Sequence, residues 1–161
     1  MNRKLFVLLL ILGPLFNCFA QSTTGTNKIA PFSIRLTNGQ LYNYSQLVPG
    51  PVVLIYFSPD CDHCQDFTKD LVKNYNVVAN KQVVMVTFQA MDMLKPFVTQ
   101  YGLASRSNFK VGTEGNSAIV QKYYQIRSFP YIAIYDKKGN LVKTYEGTQP
   151  HEKIFETLRQ L

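Results

Sequence analysis

The chain has 161 residues, 46% hydrophobic and 17% charged, with a formal net charge of +7. It is the length of one domain, able to bury roughly two-thirds of its unfolded surface in a single core without a metal or disulfide staple. The basic residues never run beyond two in succession, which leaves no electrostatic stripe for nucleic acid.

Arg3 and Lys4 precede an apolar block from Leu5 to Leu12, and Cys18-Phe19-Ala20 precedes polar Gln21 to Thr24. This pattern reads as a secretory signal peptide over residues 1–20, cleaved after Ala20 to leave 141 residues and a charge of +5 (7 minus Arg3 and Lys4). The uncharged span Leu5 to Ala20 is 16 residues and carries Gly13, Pro14 and Asn17. It is short for a bilayer crossing of about 20, so an uncleaved anchor is the lesser reading. Leu15-Phe16-Asn17-Cys18 also resembles a lipoprotein signal, although Asn17 departs from the small residue expected before the cysteine. The chain therefore reads as periplasmic or otherwise extracytoplasmic, with a mobile leader over residues 21–28 and one domain over residues 29–161.

In chain order, Ile29 to Leu36 alternates apolar and polar positions, Thr37 to Gln40 centres a turn on Asn38-Gly39, and Leu41 to Tyr44 returns, which predicts a β-hairpin. Ser45 to Leu47 makes a short helical turn. Val52 to Phe57 has no solvent face and reads as a strand buried on both sides. Ser58, Pro59 and Asp60 break it, and a helix from Cys61 to Tyr75 follows with Asp60 as its cap and Phe67, Leu71, Val72 and Tyr75 on one face. Gln82 to Phe88 is a second buried strand, parallel to the first through a right-handed crossover. Asp92 to Tyr101 is helical, with Pro96 kinking it or marking a late start, and Met91 and Met93 are packing residues. Gly102 to Gly115 reads as a loop around a short strand, Phe109 to Val111. A helix over Asn116 to Tyr124 leads through Gln125 to Phe129 into Pro130. Tyr131 to Tyr135 and Leu141 to Tyr145 form a hairpin about Asp136 to Asn140, and Pro150 to Leu161 is a terminal helix with His151 on its surface. No internal repeat or second domain is visible.

Two cysteines remain once the signal is removed, Cys61 and Cys64, and neither has a third partner. In the first turn of a helix the unpaired N–H groups and the dipole favour negative charge, so a Cys61 thiolate is favoured there. Cys64 lies three residues on, on the same face, within reach of a disulfide. A structural bridge closing so small a loop gains least entropy, so the pair reads as a reversible dithiol.

The Ala30-Pro31-Phe32 hairpin, Phe57-Ser58-Pro59-Asp60-Cys61-Asp62-His63-Cys64, Phe129-Pro130 and Tyr135 to Asn140 together resemble the thioredoxin-like superfamily. Within it they are similar to secreted thiol-disulfide oxidoreductases of the TlpA and ResA type. The resemblance implies an α/β fold, a central mixed sheet flanked by helices with an N-terminal β-hairpin. It also implies a cis Pro130 beside Cys61, with the Phe129 backbone pairing with a bound client. Cys61 would attack a client disulfide and Cys64 would resolve the mixed disulfide, with Asp62 and His63 modulating the pair. No cofactor or metal is expected. Partners would be disulfide- or dithiol-containing proteins and a membrane electron donor, with the protein acting as a monomer. Reduction is the simplest direction; His63, just before the second cysteine, resembles the oxidising branch.

Two departures stand out. The internal acids that thioredoxins carry six residues before the first cysteine, and ResA-like proteins six residues after it, are replaced by Ile55 and Phe67. Their absence leaves water or Asp62 to take the proton of Cys64, or resolution is slow. The aromatic residue that usually precedes the first cysteine is Asp60, which changes the docking surface. Ser58 stands where peroxiredoxins place a threonine, and no second-cysteine partner follows late in the chain. A metal-binding module using Cys61, His63 and Cys64 is the competing class, although a closed zinc site wants four ligands.

Overall fold

The structure, a computed structural model, describes residues 27–161. The expected signal peptide, Cys18 and the leader up to residue 26 lie outside the described residues. Asn27 and Lys28 are tied to the domain: the Asn27 carbonyl accepts from Leu141 N–H at 3.3 Å, and the Lys28 carbonyl accepts from the hydroxyls of Tyr123 and Tyr135 at 3.0 and 3.2 Å.

Seven strands, β1 (Ser33–Leu36), β2 (Leu41–Asn43), β3 (Val52–Tyr56), β4 (Gln82–Thr87), β5 (Phe109–Thr113), β6 (Tyr131–Tyr135) and β7 (Leu141–Glu146), form one mixed sheet in the order β2-β1-β5-β4-β3-β6-β7. The central β3, β4 and β5 are parallel, and β6 runs antiparallel to β3 with Tyr56 opposite Tyr131. Among the described residues four helices, α1 (Asp62–Lys73), α2 (Met91–Gln100), α3 (Ile119–Tyr124) and α4 (His151–Arg159), complete the α/β fold.

The unbroken apolar runs of β3 and β4 are explained by what covers them. Val53, Ile55, Val83 and Met85 pack with Cys64, Phe67 and Leu71 of α1, Leu94 and Phe97 of α2, and Ile154, Phe155 and Leu158 of α4. Leu54, Tyr56, Val84 and Val86 face the other layer, Phe32, Val120, Ile126 and Tyr131. Alternate residues of each strand therefore meet a different core, and neither set can be polar.

The short strand expected at Phe109 to Val111 within the 102–115 stretch is present and runs two residues further. Phe109–Thr113 is β5, paired on one side with β4 and on the other with β1. Its burial alternates imperfectly, and the glycine within it is what the pairing needs: a Cβ on Gly112 would lie 2.7 Å from the Arg35 carbonyl oxygen of β1. Small residues that resemble loop composition are here a close backbone approach.

Helix boundaries also move. α1 begins at Asp62 with Cys61 as its N-cap, and Asp60 does not cap it. The reason is geometric: the Cys61 carbonyl already accepts from Gln65 N–H at 3.0 Å, while the Asp60 side chain is taken by the Ser58 hydroxyl. The helix ends at Lys73, and a 3-10 turn covers Tyr75–Val77. α2 starts at Met91 with Pro96 inside it, so Pro96 does not mark a late start. α3 begins only at Ile119, because Ala118 takes a left-handed conformation with φ 47°.

Candidate active site

The C-terminal end of β3 and the N-terminal end of β6 lie side by side, and this register brings the segment after β3 and the residue before β6 to the same end of the sheet. Ser58 and Pro59 turn the chain out of β3, and the Cys61 N–H closes the turn on the Ser58 carbonyl at 3.2 Å. Cys61 then adopts an extended conformation, φ −89° and ψ 117°, and launches α1. As the N-cap it projects its sulfur at the end of the helix where the first N–H groups are unpaired.

Cys61 and Cys64 are both thiols, Cys61 partly exposed and Cys64 only 1% exposed. Burial pushes the Cys64 thiol well above the ordinary range, and the hydrogen bond to Cys61 and the charges of Cys61 and Asp60 push the same way. A backbone hydrogen bond from Ser58 pulls in the opposite direction. Two chemically identical side chains three residues apart are thus placed in unequal surroundings, one open to a partner molecule and one reserved inside.

Of the other expected site residues, Asp62 and His63 are exposed on the first turn of α1. The carboxylate whose charge is felt at Cys64 is Asp60. Pro130 is buried and its peptide bond with Phe129 is cis. The Pro130 carbonyl accepts from Gly147 N–H at 3.0 Å, and Glu146 Oε1 receives the N–H groups of Arg127 and Ser128 at 2.6 and 2.8 Å, which pins the segment leading into β6. Phe129 packs its ring against Tyr56 and Phe88, with centroids 5.7 and 5.8 Å away. Its own backbone N–H and C=O pair with nothing among the described residues. His63, Asp66, Phe67, Pro130, Gly147 to Gln149, His151 and Ile154 line a cleft of about 180 Å³ next to the dithiol.

Ile55 and Phe67, the positions without the acid of related proteins, are each 1% exposed and belong to the core. His151 is more constrained than a surface residue: its Nδ1 lies 2.7 Å from Asp70 Oδ2 and its ring meets Phe67 edge-on, with centroids 5.3 Å apart. Sequence reasoning missed this pairing and also missed Gln89, whose Nε2 donates to the Ser58 hydroxyl at 3.1 Å. Neither partner had a local signal, since 81 and 31 residues separate them. Among the described residues no three His, Cys, Asp or Glu side chains converge as metal ligands.

A seven-stranded mixed sheet with a dithiol at the start of the helix that follows β3 and a cis-proline opening the neighbouring antiparallel strand β6 defines the thioredoxin-like fold. The family model described as the thioredoxin-like domain matches residues 48–161, and the chain belongs to that family. Among solved structures, the chain is similar to a secreted disulfide oxidoreductase of Mycobacterium tuberculosis described as homologous to Escherichia coli DsbE. That likeness has 17% identity and TM-score 0.69 over 81% of this chain and 96% of that one. It is similar to the thioredoxin domain of a thiol-disulfide oxidoreductase from Bacteroides vulgatus, with 18% identity and TM-score 0.68 over 84% and 96%. A third likeness is to an exposed lipoprotein thioredoxin of Streptococcus pneumoniae, with 25% identity and TM-score 0.57 over 81% and 98%. No curated protein sequence matches the chain.

Proposed function

We propose that the protein is an exported thiol-disulfide oxidoreductase that reduces disulfides of protein clients through Cys61 and Cys64. The observation that carries this reading is the unequal burial of two thiols on one helix start, Cys61 partly open and Cys64 at 1% exposure. Cys61, as thiolate, attacks one sulfur of a client disulfide; the client S–S bond breaks, a mixed disulfide forms, and the other client sulfur leaves and takes a proton. Cys64 then gives its proton to water and attacks Cys61 Sγ. The Cys61–Cys64 bond forms, the bond to the client breaks, and two electrons have passed to the client. Pro130 and Phe129 receive the client, the unpaired Phe129 N–H and C=O offering it a strand edge. Asp62 and His63 adjust the pair from the exposed helix face, and a membrane electron donor recharges the resulting disulfide.

Support for the exported location comes from the sequence of residues 1–20 and from likeness to proteins described as secreted or as an exposed lipoprotein. The reading is tested by insulin reduction with dithiothreitol as electron source. Wild type is expected to accelerate precipitation of the insulin B chain, and Cys61→Ser to fall to the uncatalysed rate; unchanged activity in that variant ends the idea.

A further inference from the structure

The loop between α3 and β6 leads to the cis peptide, and its backbone donors can be accounted for one by one. Gln125 turns the chain out of α3 with a left-handed φ of 54°, and its N–H is held by the carbonyls of Gln121 and Lys122. Buried Ile126 places its N–H on the Gln121 carbonyl at 3.0 Å and its side chain in the layer of Val120 and Tyr131. The next two N–H groups, of Arg127 and Ser128, both donate to Glu146 Oε1, at 2.6 and 2.8 Å. From Gln125 to Phe129, the Phe129 N–H is the one donor left without a partner among the described residues.

The pattern of β7 explains why Glu146 reaches this loop. Tyr145 turns inward to the core that α4 covers, so strand alternation sends Glu146 to the opposite face. There it stands opposite Tyr131, the residue that follows cis Pro130. Gly147 comes next, with φ 67°, and donates its N–H to the Pro130 carbonyl at 3.0 Å. A Cβ on Gly147 would lie 3.4 Å from the Ser128 Cβ, so the end of β7 is drawn close against the same loop. Two consecutive residues thus grip both sides of Phe129, one through the N–H groups before it and one through the carbonyl after it.

Resting on the thiol-disulfide reading above, we propose that Glu146 is a positioning residue for protein clients: by holding Arg127 and Ser128 it presents Phe129 N–H and C=O as a strand edge. It thereby sets affinity for clients that approach the dithiol as extended polypeptide. Small disulfides have no backbone to pair with that edge, and they react at Cys61 without its help. A single oxygen accepts both bonds, so a neutral amide oxygen in the same place holds them too.

If the loop without this acceptor presents the edge about a tenth of the time, half-saturation rises about tenfold while the bound complex reacts as before. The test uses the full chain in two assays. Insulin turnover with dithiothreitol, at rising insulin concentration, gives kcat and KM. Stopped-flow reaction of the reduced chain with 4,4′-dithiodipyridine gives the rate at Cys61 for a probe with no peptide backbone. Glu146→Ala is expected to raise KM for insulin about tenfold, with kcat and the probe rate within about twofold of wild type. Glu146→Gln should restore KM to within about threefold. Glu152→Ala, which removes an exposed carboxylate of α4 that pairs with Arg159, should leave all three values unchanged.

An unchanged KM in Glu146→Ala overturns the proposal. A probe rate that falls together with insulin turnover overturns it too, because the residue then supports the dithiol as a whole. A KM in Glu146→Gln as high as in Glu146→Ala overturns it by making charge, and not the acceptor, the cause; an equal rise in Glu152→Ala does the same. A wild-type chain that reacts with the probe but never reduces insulin ends the protein-client reading itself, a result separable from the other four.

Discussion

Labelling of the two cysteines measures the asymmetry on which the site depends. Take two single-cysteine forms of the dithiol, Cys64→Ser and Cys61→Ser, and expose each to iodoacetamide at pH 7.5 in buffer and in urea. Cys64 is 1% exposed, within a cluster of Phe57, Phe67, Leu71 and Ile132, so the reagent reaches it only from opened molecules. A local opening that costs about 3 kcal/mol slows such a reaction about 150-fold. Ionisation adds to this, since burial and the Asp60 charge raise the thiol, and each unit of elevation removes a further factor of about ten. Cys64 in Cys61→Ser should therefore label at least about a thousandfold more slowly in buffer than in urea. Cys61 in Cys64→Ser, with its sulfur at the open N-cap, should stay within about tenfold of its unfolded rate. Peptide mass mapping separates both sites from Cys18 and gives the rates directly. If Cys64 labels in buffer within tenfold of Cys61, the division into an open and a reserved sulfur is wrong.

Two further outcomes follow from the packing around the site. Phe67 is 1% exposed and stacks on Phe155 at 6.3 Å, so Phe67→Ala should cost about 3–5 kcal/mol and lower the melting temperature by roughly 10 °C or more; a fall under 3 °C in calorimetry contradicts its place in the core. Burial raises the phenols of Tyr124, Tyr131, Tyr135 and Tyr56 above their ordinary range. Raised folded-state values mean that this stability is fully present below the ordinary tyrosine pKa of about 10 and is lost as pH rises beyond it. The urea midpoint of the oxidised protein should accordingly decline between about pH 9.5 and 11.5, and a flat profile there would show that the phenols are not enclosed.

Much of this architecture was legible because its signals are local. Val52 to Tyr56 could be nothing but a doubly buried strand, Asn38-Gly39 marked its hairpin, and the spacing of Cys61 and Cys64 marked the helix start. What escaped was determined by partners distant in the chain. Phe109–Thr113 became a central strand because β1 arrives from the N-terminal hairpin to cover it, and Gly112, read as loop composition, is the residue that lets Arg35 approach. Asp60 looked like a helix cap by residue type; the Ser58 hydroxyl, itself held by Gln89, claims that carboxylate and passes the N-cap to Cys61. Tyr124 and Tyr135 gave no hint that their hydroxyls, 2.6 Å apart, would meet the Ala30 N–H and the Lys28 carbonyl and bind the start of the domain across the sheet.

The same long-range packing explains why the proton problem at Cys64 takes the form it does. An acid at position 55 or 67 would stand in a layer shared by α1, α2 and α4, where an unpaired carboxylate costs several kcal/mol or stays protonated. Isoleucine and phenylalanine convert that cost into apolar burial, each worth about 1.5–3 kcal/mol. The gain in the core is bought with slower proton loss, since neither position 55 nor position 67 supplies a group to relay it. Charge near the dithiol is displaced instead to the outer turn, where Asp60 remains hydrated and costs little, and where Ser58 orients it. A stable core and a fast resolving thiol compete for the same two positions, and in this chain the core has them.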